Sequence, residues 1–162
     1  MKDGDYMSSV IETDKSATFA DSAYRTRDEI ERLVRAFEDC TLPRAEWTHR
    51  AHLTVALWYI FHHSGEEAII SIRGHIKRYN AAHGVLMTRD SGYHETITLF
   101  WTYVVGRFVL LEGAGFSLLE LANNMIKRFD NSRLPFDYYS RDRLMSWLAR
   151  TSWVEPDLKP LD

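Results

Sequence analysis

Two short stretches hold the residue types that do chemistry: Glu46-Trp47-Thr48-His49-Arg50-Ala51-His52 and Gly92-Tyr93-His94-Glu95-Thr96. On a helix, residues three apart lie within roughly 60° of one another around the axis. A helical His49 and His52 therefore share a face, and Glu46 stands one turn before them. His94 heads a second stripe that runs through Ile97 or Thr98, Trp101, Val105 and Phe108. Three neutral imidazoles with one carboxylate form a common ligand set for first-row divalent metals such as Zn, Fe, Ni or Mn. If the two stretches meet, His49, His52 and His94 are the candidate metal ligands. Glu95, Glu46 and Tyr93 are then candidate catalytic groups, and Arg50, Arg89 and Thr48 candidate ligand-binding groups. Such a metal, with one position open, would activate water or bind a substrate oxygen.

A metal-free chemistry fits the same residues. Thr48 and either Ser91 or Gly92 are N-cap candidates, so both motifs would present free N–H groups and the positive end of a helix dipole. Those ends would hold a carboxylate or phosphate, with the histidines and Arg50 as donors or acid–base groups. A third reading needs no ligand. Glu95 would cap its helix by reaching back to Gly92, Glu46 would favour a helix start, and the histidines would be hydrogen-bonded core residues. The apolar helices of such an interaction protein would face a partner subunit, a homodimer among the options. A second Glu-x-x-His, as in ferritin-like di-iron centres, is missing, and so is the His-Glu-x-x-His of zincins.

The elements that must position these residues are helical. Thr26-Arg27-Asp28-Glu29, Ser64-Gly65-Glu66-Glu67 and Ser117-Leu118-Leu119-Glu120 are capping-box patterns, each opening a helix. The first helix carries Ile30, Leu33, Val34 and Phe37 on one face and ends at Cys40-Thr41-Leu42-Pro43. The second runs from about Ala45 or Thr48 to His63, and its Val55–Phe61 run is apolar all round, the mark of a central helix. The third carries Ile69, Ile72, Ile76 and Tyr79 inward and closes at His83-Gly84. The fourth starts near Gly92 and runs to about Glu112, and the fifth to about Phe129. Ser140 is the N-cap expected for a last helix reaching Arg150, followed by an extended tail from Trp153. Strand alternation is absent. The expected architecture is an all-α, single-domain bundle of about six helices, helices two and four central, spanning residues 26–162 after a loose arm at 1–25.

Composition narrows the function classes. The chain has 162 residues, 45% hydrophobic, with a net charge of −3. At this length a single domain buries roughly 70% of the surface its unfolded chain exposes. The charge gives no basic field for nucleic acid or anionic membrane, and the longest apolar run is too short to span a bilayer. One cysteine, Cys40, excludes an internal disulfide. With no apolar leader at the start, the expected location is the cytoplasm. The basic run Arg73-Gly74-His75-Ile76-Lys77-Arg78 is read as a solvated helix face rather than an RNA surface.

Trp47-Thr48-His49-x-x-His52-Leu53, Arg78-Tyr79-Asn80, Gly92-Tyr93-His94-Glu95-Thr96 and Trp153-Val154-Glu155-Pro156-Asp157-Leu158 together resemble the motif set of a bacterial family of uncharacterised small proteins. The resemblance covers residues 37–161 and implies a recurring bacterial domain, with no activity attached. The expected function is a small metal-dependent, or at least histidine-based, enzyme or binding protein acting on a small-molecule ligand.

Overall fold

The computed structural model describes residues 23–161, so the expected arm lies outside the described residues except for its last three. Of those, Tyr24 exchanges two backbone hydrogen bonds with the Asn123 side chain, both 2.9 Å, and its hydroxyl meets Thr54 at 2.9 Å. The described residues therefore open with a fastened segment.

The described residues form seven α-helices: α1 Arg27–Glu38, α2 His49–His62, α3 Gly65–Ala82, α4 Glu95–Glu112, α5 Leu118–Phe129, α6 Arg141–Leu144 and α7 Trp147–Thr151. Single 3-10 turns occupy Arg44–Glu46 and Leu134–Asp137, and the described residues contain no strand. The caps explain the starts. Thr26 and Ser117 accept from the N–H of Glu29 and Glu120, whose carboxylates return to the cap N–H groups. Glu67 likewise accepts the N–H of Ser64. The end of α1 is a Schellman closure: Cys40 sits at φ +58° while Cys40 and Thr41 donate to Phe37 and Ala36.

Helix α2 is central because its sequence leaves no polar face beyond its first turn. Leu53, Val55 and Leu57 are all buried although they point in different directions. It packs most extensively on α4, then on α3 and α5. Helices α1, α3 and α5 are amphipathic and close over this pair with Ile30, Val34, Phe37, Ile72, Ile76, Leu121 and Met125. Among the described residues, no helix is long and apolar enough to cross a membrane.

Two boundaries differ from the sequence reading. The single last helix is divided at Met145, because Ser146 caps a new helix by accepting from the N–H of Ala149 at 3.1 Å. The start of α4 lies at Glu95, and its N-cap is His94 rather than Ser91 or Gly92. Gly92 adopts φ +83°, outside the helical region, with its Cα turned so closely to the chain that an added Cβ would lie 2.6 Å from the carbonyl oxygen of Leu86. The tail is extended and held to the body: Thr96 donates to Ser152, Tyr139 to Val154, and Leu158 to Tyr138.

Candidate functional site

A cavity of about 450 Å³ lies where α2, α3 and α4 meet the loop before α4, the turn at Arg44–Glu46 and α7. Most of its wall is apolar, from Val55, Ala56, Ile72, Ile76, Ile97 and Trp101. The polar groups on it come from both sequence motifs and from residues outside them: Arg44, Asn80, Asp90, Ser91, Thr98, Thr102 and Arg150.

His52 is the best-defined group. It occupies the first turn of α2, and its Nδ1 lies 2.7 Å from the carbonyl oxygen of Thr48. A carbonyl only accepts, so Nδ1 carries the proton and Nε2 keeps a lone pair. The ring stacks on Trp47 at 3.8 Å, and Trp47 stacks in turn on Phe37 at 4.4 Å. Burial pushes the pKa of His52 down to about 4, with smaller contributions in the same direction from His49 and Arg44, against the Thr48 hydrogen bond. The imidazole is therefore neutral at neutral pH. Among the described residues Nε2 has no partner, yet the only sealed, unpartnered side-chain polar atom is Nε of Arg73. Nε2 is thus accessible, on a residue that lines the cavity.

His94 also lines the cavity but has spent both nitrogens. Nδ1 accepts from the N–H of Ile97 at 3.3 Å, which caps α4, and Nε2 donates to the carbonyl of Leu144 at 2.9 Å. Burial first, and then the Arg150 charge, hold its pKa below the ordinary value. His49 turns away: Nε2 donates to the carbonyl of Phe129 at the end of α5, 2.9 Å away, and the ring lies against Trp101 at 4.6 Å. The three imidazoles thus point at three different carbonyls. Among the described residues, no three His, Cys, Asp or Glu side chains form a group able to hold a metal ion. The side chains present do not fit the ligand set expected from the sequence.

The other expected residues divide. Tyr93 lines the cavity, but its hydroxyl donates to Glu95 at 2.6 Å, and burial followed by that carboxylate raises its pKa further above the ordinary phenol range. Glu95 is buried behind it and also accepts from Arg73. Its two oxygens are occupied by Tyr93 and Arg73, so it braces the wall and does not cap α4. Thr48 caps α2 and orients His52. Arg50 leaves the site altogether and forms a two-pronged pair with Asp130, at 2.9 and 2.7 Å. Glu46 and Arg89 are exposed and contribute no side chain to the cavity wall.

The sequence reading missed Arg150. Only 4% exposed, this residue lines the cavity from α7. Its Nε donates to the carbonyl of Arg89 at 3.1 Å, and Nη1 faces the carbonyls of Ser91, Gly92 and Tyr93 at 3.1 to 3.3 Å. One guanidinium thereby fixes the loop that delivers Tyr93 and His94. Sequence gave one signal, unused: Arg150 falls beside Ala149 in a short helix, where inward residues are few. Trp47, inside the first motif but given no role there, and Arg44, just before it, are also on the wall.

No protein-family model, curated protein or solved structure matches this chain.

Proposed function

We propose that this protein binds a small organic molecule in the cavity between α2, α3 and α4, with His52 Nε2 as the acceptor that fixes the ligand's orientation. One observation carries the reading: a half-buried imidazole on the wall of a mostly apolar pocket, held in one tautomer by Thr48 and with no partner on Nε2 among the described residues. Ligand sites commonly have this composition, concave and apolar with a few convergent polar groups. A histidine that protonates only near pH 4 is a weak general base at neutral pH but a dependable hydrogen-bond acceptor. Binding is therefore the primary role, and catalysis would require the ligand to raise that pKa. The reading does not rest on a three-histidine ion site, because His49 and His94 have committed their nitrogens. A cytoplasmic location fits the lone, unpaired Cys40.

The test is nitrogen-resolved NMR of labelled histidine, followed by a small-molecule binding screen on wild type and His52→Phe. The substitution keeps an aromatic ring against Trp47 and removes the acceptor. At neutral pH, His52 should show protonated Nδ1 and bare Nε2, and ligands that move the Nε2 resonance should bind the variant more weakly. A doubly protonated His52 at neutral pH, or equal binding by both proteins, would refute the reading.

A further inference from the structure

We infer that the cavity is built for an anionic ligand, a small monocarboxylate with a largely apolar body and one hydroxyl or N–H that donates to His52, whose charged group is held by Arg150. The inference rests on the small-molecule reading of the same cavity and adds the ligand's chemical class.

Arg150 is a buried cation without a counter-ion. None of the ion pairs among the described residues includes it, and its recorded partners are four carbonyl oxygens. Carbonyl dipoles satisfy N–H groups but do not neutralise charge, and an unpaired buried charge is expensive. The guanidinium has five N–H donors. Nε and Nη1 account for three of them, and Nη2 has no partner among the described residues. It is not a sealed orphan either, since Arg73 Nε is the only such atom there. On a residue that lines the cavity, an accessible, unpartnered Nη2 is an open place for an acceptor. The four carbonyls also fix the guanidinium in place, so a ligand meets a donor already oriented.

The charges on the wall select the class of anion. Arg44 and Arg150 are cationic and Asp90 is the only carboxylate among the lining residues. Arg44, like Arg150, belongs to no ion pair among the described residues. His52 and His94 are neutral at neutral pH because burial depresses both. Arg44 and Asp90 are exposed and solvated, which leaves Arg150 as the one buried charge on this wall; a monoanion balances it and a phosphate dianion exceeds it. Most of the rest of the wall is aliphatic and indole surface, suited to a hydrocarbon or aromatic body, with Asn80, Thr98 and Thr102 among its polar residues. A volume of about 450 Å³ lies within the range of roughly 300–1,000 Å³ typical of small-molecule sites.

Calorimetry and thermal shift on the full chain test this, with three probes of one shape: phenylacetate, phenylacetamide and phenyl phosphate. Phenylacetate should bind about tenfold or more tightly than the neutral amide, as expected for one charge-assisted hydrogen bond, and more tightly than the phosphate. Arg150→Lys should retain part of that preference and Arg150→Met should lose it. Because Arg150 also clamps a loop, the probe series on wild type decides even if Arg150→Met does not fold. Equal affinity for acid and amide overturns the anion assignment while the binding pocket stands. Tighter binding of phenyl phosphate overturns the monocarboxylate assignment. No binding of any probe at millimolar concentration overturns both the anion and the pocket readings. A preference for the acid that survives Arg150→Met in folded protein overturns the role of Arg150.

Discussion

Acidification should destabilise this protein between pH 6.5 and 4, and His52 should account for much of the loss. In the unfolded chain a histidine titrates near 6.5, whereas in the fold burial holds His52 near 4. Between those values the unfolded chain binds a proton that the folded chain does not, so stability falls as pH falls. The loss begins as pH drops through the unfolded value and is complete near the folded one. Above neutrality both states are unprotonated and the term vanishes. Each tenfold displacement of an ionisation is about 1.4 kcal/mol, so a fall from 6.5 to about 4 corresponds to a ceiling of about 3 kcal/mol. His52 is only half-buried, so solvent partly screens the imidazolium and about 1.5–3 kcal/mol is the working range. His94 adds a loss of the same sign, its pKa also being depressed by burial. The depressed carboxylates Glu29, Glu67, Glu120, Asp130 and Asp157 contribute only once pH falls below their ordinary values of 4.5 or 3.8. Urea titrations of wild type and His52→Gln at about pH 7 and about pH 4.5 measure the difference. Gln at this position donates to Thr48 but does not titrate, so whatever it costs at neutral pH, its further loss on acidification should be smaller by that range. Parallel losses in the two proteins would refute the reasoning.

Three further perturbations separate the parts of the structure. Gly92→Ala should lower stability by about 2 kcal/mol or more in urea unfolding, since it combines a left-handed backbone with a Cβ 2.6 Å from the Leu86 carbonyl; it should also weaken phenylacetate binding. Cys40→Gly should raise the melting temperature, because a side chain at φ +58° carries a steric cost of about 1 kcal/mol that glycine avoids. Arg50→Ala should cost less than about 1 kcal/mol and leave phenylacetate affinity unchanged by calorimetry, as its partner is the exposed Asp130.

The helices were legible because their signals are local. Capping boxes at Thr26, Ser64 and Ser117 and the all-apolar run in α2 each act within a few residues. The centrality of α2 and α4 followed from the same runs. What sequence could not supply was angle. His49 and His52 do lie on adjoining parts of one helix, yet the small rotation between them is enough to send His49 to the end of α5, against Trp101, and His52 into the cavity. His94 was seen as an inward residue at a helix start, but whether such a residue caps the helix or faces a ligand depends on which carbonyl lies opposite. Here Leu144 lies opposite, fifty positions away. Arg50 drew attention by standing between the histidines, and that adjacency turns it outward. Arg150 is the converse: distant in sequence, it reaches the site only because α7 folds back against α4.

Arg150 and His52 line one cavity, so an anion held by the first must act on the second. His52 is now disfavoured from protonating by burial, then by the neighbouring His49 and Arg44. An anion in the cavity adds a negative charge that opposes the positive charge of Arg44 and displaces none of the groups that fix the ring. For a separation of about 8 Å and an effective dielectric of about 20, Coulomb's law gives about 2 kcal/mol, equivalent to a rise of about one to one and a half pH units in the His52 pKa, and a greater separation gives less. The sign is upward, because a negative charge favours the imidazolium. Linkage then requires the reverse effect: phenylacetate should bind more tightly as pH falls through the window between the bound and free values, by the same factor that it raises the pKa. NMR titration of the His52 ring with and without saturating phenylacetate measures the first, and calorimetry at about pH 7 and about pH 5 the second. If the ring titrates identically in both states while phenylacetate is shown to bind, the anion does not share a cavity with His52, and the two halves of the proposed site come apart. An upward movement would also bring this imidazole toward the range in which histidines transfer protons, so that the ligand itself would turn a passive acceptor into a working base.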